Sequence, residues 1–174
     1  YSVNLGVGRS DNILRTPDNE IDETTGTAGL TFSLLRESRR LRADLIGDFA
    51  YYDYFDDTFD DEIVGTFDGE ATLGIVPERF EWLFSDTFGQ TTEQRFSVVT
   101  PENRENVNYF TTGPKVMLGA GSNFRVTLDG RYTKGTYEDS PLDNERRSGT
   151  IALIRSLSPS SAVSLNLHHA QIEF

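Results

Sequence analysis

Leu41-Arg42-Ala43-Asp44-Leu45-Ile46-Gly47-Asp48-Phe49-Ala50-Tyr51 carries apolar or small residues at its odd positions and mostly charged or polar ones at its even positions. A period of two held over about 11 residues makes a β-strand with two unlike faces. Beyond an acidic stretch the chain returns with Ile63, Phe67, Ala71, Leu73 and Ile75 on one face and Thr66, Asp68, Glu70 and Thr72 on the other. Val76-Pro77-Glu78-Arg79 then reverses it. Strands of about 11 residues, rising about 3.3 Å per residue and tilted about 45°, are long enough to cross the hydrocarbon of a bilayer. One face suits lipid and the other suits water.

The same alternation extends in both directions. Towards the start, Tyr1, Val3, Leu5 and Val7 oppose Ser2, Asn4 and two glycines; a polar loop over about 9–24 follows. A second strand over 25–35 sets Ala28, Leu30, Phe32 and Leu34 against Thr27, Thr31 and Ser33, and Arg36-Glu37-Ser38-Arg39-Arg40 turns it into the Leu41 strand. Towards the end, Phe80, Trp82 and Phe84 begin a fifth strand in which Asp86 falls in the apolar frame, a sign of a bulge or of the strand leaving its apolar environment. A long segment over 90–106 leads to a sixth strand with Phe110, Thr112, Pro114, Val116 and Leu118 on one side. Pro114 removes a ladder donor, which argues against a central, regular strand. After Gly119-Ala120-Gly121-Ser122-Asn123, the seventh strand alternates Phe124, Val126, Leu128, Gly130 and Tyr132 with Arg125, Thr127, Asp129, Arg131 and Thr133. An acidic loop over 138–147, an eighth strand over 151–157, the turn Ser158-Pro159-Ser160-Ser161 and a ninth strand with Val163, Leu165 and Leu167 complete the pattern.

Short turns near 38, 77, 121 and 160 give a hairpin repeat of about 40 residues, as an up-and-down meander requires. Every short turn falls at one end of the strands and every long polar loop at the other. Transmembrane barrels sort their connections in this way. Arg42, Asp44, Asp48, Asp68, Glu70, Glu81, Lys115, Arg125, Asp129 and Arg131 are all expected on one face, where they would line a lumen. Tyr51, Phe80, Trp82, Phe124 and Tyr132 stand near strand ends, where amphipathic rings form membrane-interface girdles. A soluble sandwich would use the same polar face as its solvent side and the apolar face as its core.

Composition is consistent with such a barrel and excludes other classes. Hydrophobic residues are 36% of 174, and mean hydropathy is -0.45. No run approaches the roughly 18 apolar residues of a membrane helix, whereas a barrel hides its membrane segments because alternate residues face water. A net charge of -12 lacks the basic footprint of nucleic-acid binding. Without cysteine there is neither a disulfide framework nor a thiolate metal site.

Pro77-Glu78-Arg79-Phe80-Glu81-Trp82, Thr100-Pro101-Glu102-Asn103-Arg104-Glu105-Asn106-Val107 and Leu157-Ser158-Pro159-Ser160-Ser161 resemble the strand ends, loops and turns of Gram-negative outer-membrane β-barrels. More narrowly the chain resembles porin-like barrels associated with exopolysaccharide export. The resemblance implies an outer-membrane location and transport of hydrophilic solutes or polysaccharide. It carries over no individual catalytic or binding residue.

No enzymatic constellation emerges, and no cofactor is expected. Asp53, Asp56, Asp57, Asp60, Asp61 and Glu62 cluster in one expected outer loop, yet without the central glycine and terminal glutamate of an EF-hand. Weak divalent-cation bridging to lipopolysaccharide is the expectation there. His168 and His169 are adjacent, so they point to opposite faces and cannot share a metal. On its face His168 lies about 13 Å along the strand from Ser164, too far for a nucleophile and its base.

The reading is therefore an all-β, antiparallel up-and-down transmembrane barrel over 1–174, with about nine visible strands, expected to be part of a larger barrel. A terminal Phe174 on an outward-running ninth strand, an odd strand count, and an alternating pattern already under way at Tyr1 all point to strands outside this stretch. The expected function is a porin-like outer-membrane channel. Two alternatives stand beside it. One is a non-conducting assembly barrel whose long acidic loops bind a protein or polysaccharide partner; the other is a soluble β-sandwich binding module.

Overall fold

A computed structural model describes residues 1–92, 96, 100–119 and 122–174. Ala120 and Gly121 of the expected short turn, and 93–95 and 97–99 of the expected long segment, lie outside them. The nine strands are β1 (Ser2–Ser10), β2 (Glu23–Glu37), β3 (Leu41–Tyr54), β4 (Glu62–Val76), β5 (Phe80–Thr91), β6 (Glu105–Leu118), β7 (Phe124–Tyr137), β8 (Asn144–Ser158) and β9 (Ser161–Glu173). One 3-10 turn, Pro101–Asn103, precedes β6.

The strands pair antiparallel in sequence order within a single open sheet. The sheet's edges, β1 and β9, run in the same direction. Its strands extend past the expected bounds, so Asp53 belongs to β3 and Glu62 to β4 rather than to the loop between them. Long connections share one end of the sheet and short ones the other, as the hairpin repeat predicts.

The register keeps the two faces separate across all nine strands. Leu41, Ala43, Phe49 and Tyr51 of β3 pair with Leu73, Ala71, Gly65 and Ile63 of β4. Leu128 lies between Val116 and Ile151, and Ile151 between Leu128 and Leu167. These apolar side chains share one face, and among the described residues no second layer covers it. Leu5, Leu34, Ile63, Phe124 and Leu165 are each more than half exposed, except that Leu34 is only just so at 51%. Among the described residues Tyr54 and Phe59 alone are buried apolar side chains, packed edge to face at 5.3 Å. A compact 19.5 kDa globule exposes about 8,500 Å²; this chain exposes 12116 Å². The excess follows from a sheet one layer thick, which has no dry interior of the kind a sandwich encloses.

Two local expectations need correction. Asp86 marks no bulge: it sits in register between Gly69 and Phe110, and β5 continues to Thr91. The irregularity in that hairpin lies at Gly74/Val76 instead. Pro114 likewise occupies a central strand, paired to Trp82 on one side. On the other side the β6–β7 ladder is interrupted between Thr112↔Tyr132 and Lys115↔Asp129 without losing register. Arg131 repairs the gap. Its guanidinium donates to the Pro114 carbonyl at 3.1 Å and the Gly130 carbonyl at 2.8 Å, and it is held by Asp129 at 2.6 Å. A charged side chain thus supplies donors where proline has none.

Aromatic rings also fill the apolar face away from the strand ends. Phe32 stacks on Phe49 at 6.4 Å and reaches Phe67 at 6.3 Å, while Phe49 stacks on Phe88 at 5.9 Å. They lie over glycines: a Cβ on Gly47 would come within 2.5 Å of the Phe32 ring, and one on Gly69 within 2.6 Å of the Phe67 ring. Rings over glycine protect a weak point of a strand, and a side chain at either position would have to displace its ring.

Candidate functional site: the polar face and the anchored loops

All ten residues expected to face water together do share one face. Arg42, Asp44 and Asp48 on β3 align with Thr72, Glu70 and Thr66 on β4. Glu81, Lys115 and Asp129 form one row across β5, β6 and β7, and Asp68, Arg125 and Arg131 fall on the same side by register. Partners are mostly found one or two strands away. Arg42 reaches over β4 to Glu81 at 3.2 Å, Thr31 donates to Asp48 at 3.0 Å, and Thr87 donates to Asp68 at 3.3 Å. Thr111 and Thr133 join at 2.9 Å, as do Thr150 and the Nδ1 atom of His168. Sign is zoned along the sheet, a feature that single-strand alternation does not disclose. Asp44, Asp48, Asp68, Glu70 and Glu81 make β3–β5 mainly acidic, with Arg42 among them, whereas Lys115, Arg125, Arg131 and Arg146 make β6–β8 mainly basic, with Asp129 among them. One row runs Asp44, Glu70, Ser85, Thr111, Thr133, Arg146, with hydroxyls between the acids and the base.

Tyr51, Phe80, Trp82, Phe124 and Tyr132, expected as interface aromatics, all fall on the apolar face. Phe124 and Tyr132 bracket the apolar run of β7. Phe80 and Trp82 stand at the short-turn end of β5, edge to face at 6.4 Å. Trp82 donates its indole N–H to the Thr112 hydroxyl at 2.8 Å, a partner inside the same face. Asp86 also lies on this face, where its Oδ1 is enclosed and accepts no hydrogen bond among the described residues.

At the long-loop end, the acids divide by role. Tyr51 donates to Asp61 at 2.6 Å and Tyr54 to Glu62 at 2.8 Å, and Arg104 pairs with Glu62. Asp57, Asp60, Glu102, Glu138 and Asp139 line, with Arg104, a cleft of about 640 Å³ between the loops. Among the described residues no three His, Asp or Glu side chains gather in a way that could hold a metal ion.

Two buried carboxylates that the sequence did not single out hold these loops. Glu23, fully enclosed at the start of β2, accepts from the Asp56 N–H at 3.0 Å and the Thr58 N–H at 3.2 Å. Glu105, 3% exposed at the start of β6, accepts from the Ser140 N–H at 2.9 Å, the Ser140 hydroxyl at 2.6 Å and the Asp139 N–H at 3.4 Å. The following residue repeats the correspondence. Thr24 donates its N–H to Asp56 and accepts from the Phe55 N–H; Asn106 donates to Glu138 and accepts from the Glu138 N–H. The same anchor is therefore built twice, two hairpins apart. Glu23-Thr24 with Asp56-Asp57-Thr58, and Glu105-Asn106 with Glu138-Asp139-Ser140, were its sequence signal.

For Glu23, burial raises the carboxyl's pKa, but bonds from the Thr58 hydroxyl and the Asp56, Thr58 and Thr24 backbone outweigh it and leave it below 4.5. For Glu105, the Ser140 hydroxyl lowers it, burial opposes, and the Ser140 and Asp139 N–H groups lower it further. A lowered folded-state pKa means that the stabilisation is complete above the ordinary glutamate range and is lost as pH falls through the folded value. Between about pH 6 and about pH 3, hydrogen-exchange protection at Asp56, Thr58, Asp139 and Ser140 should fall together. Glu23→Gln should weaken protection at Asp56 and Thr58 at every pH and abolish its acid dependence there alone. Protection that persists unchanged to about pH 3 would refute the anchor.

No protein-family model, no curated protein and no solved structure matches this chain.

Proposed function

We propose that this sheet is wall material of an outer-membrane porin-like barrel, its apolar face against lipid and its polar face against water, passing hydrophilic solutes or polysaccharide. The observation that carries the proposal is the uncovered apolar face of a single-layered sheet with 12116 Å² of surface. Strands of 12–15 residues, apart from the 9-residue edge β1, have the length to cross hydrocarbon. The sorting of connections by length agrees with outer-membrane topology. Because β1 and β9 run the same way, antiparallel closure takes a strand outside β1–β9. The charged rows on the polar face would set selectivity electrostatically. Protein reconstituted in planar bilayers should give discrete conductance steps, with ion selectivity altered by Arg125→Glu; a silent bilayer with correctly inserted protein would overturn the channel reading.

A second reading draws on the twin glutamate anchors, which hold the long loops in place as a binding surface requires. On that reading the barrel is an assembly scaffold whose loops bind a protein or polysaccharide. Deleting the acidic loop over 55–61 should then abolish partner binding while leaving membrane insertion intact.

A further inference from the structure

Near the long-loop end, the polar face contains a hollow of about 530 Å³ whose lining is mainly apolar. Its floor is Gly89, above which there is open space: a Cβ placed there meets no atom within 4 Å. On the β6–β7 side it is lined by Tyr109, Val107 and Tyr137, and on the β3–β4 side by Ile46, Thr66 and Asp68. Tyr109 covers Gly135 so closely that a Cβ on that glycine would lie 2.9 Å from the ring. Tyr137 meets it edge to face at 6.2 Å and 86°, and the two hydroxyls are hydrogen-bonded to each other. The Tyr109 ring is thus fixed against the sheet on one side and 41% exposed overall.

We propose that this hollow is a subsite for a neutral pyranose ring. A pyranose has a C–H face that packs on an aromatic ring and a rim of hydroxyls that need acceptors and donors. Here Tyr109 and Val107 meet the first need. Asp68, which among the described residues engages the Thr87 hydroxyl at 3.3 Å, and the Thr66 hydroxyl meet the second. An anion would face the Asp68 carboxylate, and a wholly apolar ligand would strip water from Asp68 and Thr66 without replacing it. The subsite rests on the proposed reading only in requiring the polar face to be wet, and it names neutral oligosaccharide as the solute class.

The test is titration of the full chain in lipid nanodiscs with maltohexaose and cellohexaose, followed by calorimetry. Saturable binding of at least one, weakened at least tenfold by Tyr109→Ala and by Gly89→Leu, is the expected result. Gly89→Leu fills the hollow from β5 and leaves both tyrosines in the sequence, so it separates loss of the site from any misfolding caused by Tyr109→Ala. Absence of saturable binding to both sugars, binding unchanged in Gly89→Leu, or binding of tetramethylammonium in place of sugar would each overturn the subsite. Conductance in bilayers is measured separately: steps that neither sugar blocks leave the channel and remove the subsite, whereas sugar binding by a silent protein removes the channel and leaves the subsite.

Discussion

Ala71→Arg should cost about 2–4 kcal/mol of folding free energy in lipid vesicles, the penalty for an arginine at mid-depth on a lipid-facing strand. Ala71 lies on the apolar face between Ala43 and Phe84, in the interior of β4 and away from both ends where an arginine could reach headgroups. Its polar-face counterpart is Ser85→Arg, which places the new charge across from Glu70 and beside Thr111. That change should fall within about 0.5 kcal/mol of the parent, as exposed substitutions do. The comparison needs only urea unfolding of the three proteins in the same vesicles. Equal free energies for the two arginines would remove lipid from the apolar face and, with it, the membrane reading.

Gly113→Ala should destabilise the chain by about 3 kcal/mol, the upper end for an overpacked site, by forcing β6 and β7 apart. A Cβ on Gly113 would stand 2.0 Å from the Gly130 carbonyl oxygen, 2.8 Å from its carbon and 3.1 Å from the Arg131 Cα. All three are backbone atoms, so no rotamer change relieves the clash. The seam is already thin there, since Pro114 brings no N–H and Arg131 bridges the interruption. Gly130→Ala is the control. Its Cβ would find only Pro114 side-chain carbons, the nearer at 3.7 Å, an ordinary contact. Urea midpoints should separate the two alanines clearly, and matching midpoints would show that the close approach of β6 and β7 is not a constraint on stability.

These two substitutions differ in what makes them foreseeable. The consequence at Ala71 follows from alternation along one strand, because a period of two assigns every residue of β4 to a face before any partner is known. Nothing near Gly113 in the sequence announces a carbonyl from β7. Asp86 illustrates the opposite failure: a carboxylate in an apolar frame suggested a bulge as one of two readings, yet the ladder on both sides held it in register. Pro114 failed in the same direction, since the compensating donor comes from Arg131 on the neighbouring strand. Among the candidate residues, the ten polar-face positions followed from alternation. Glu23, Glu105, Tyr109 and Tyr137 did not, because a strand-initial glutamate or a strand tyrosine looks like many others until its partner is placed.

By itself the sequence determined the all-β character, the hairpin repeat, the sorting of long and short connections, and the division into an apolar and a polar face. Each is a local property, set by side-chain periodicity and turn chemistry within about 15 residues. The tertiary structure decided that the strands make one layer rather than two, that acids predominate on β3–β5 and bases on β6–β8 of the polar face, and that two buried glutamates hold loops 33–35 residues away. It also decided where a hollow opens between Ile46 and Tyr109. Those features depend on which strands become neighbours and in what register, and the free energy that selects register is a sum over contacts between residues distant in the chain.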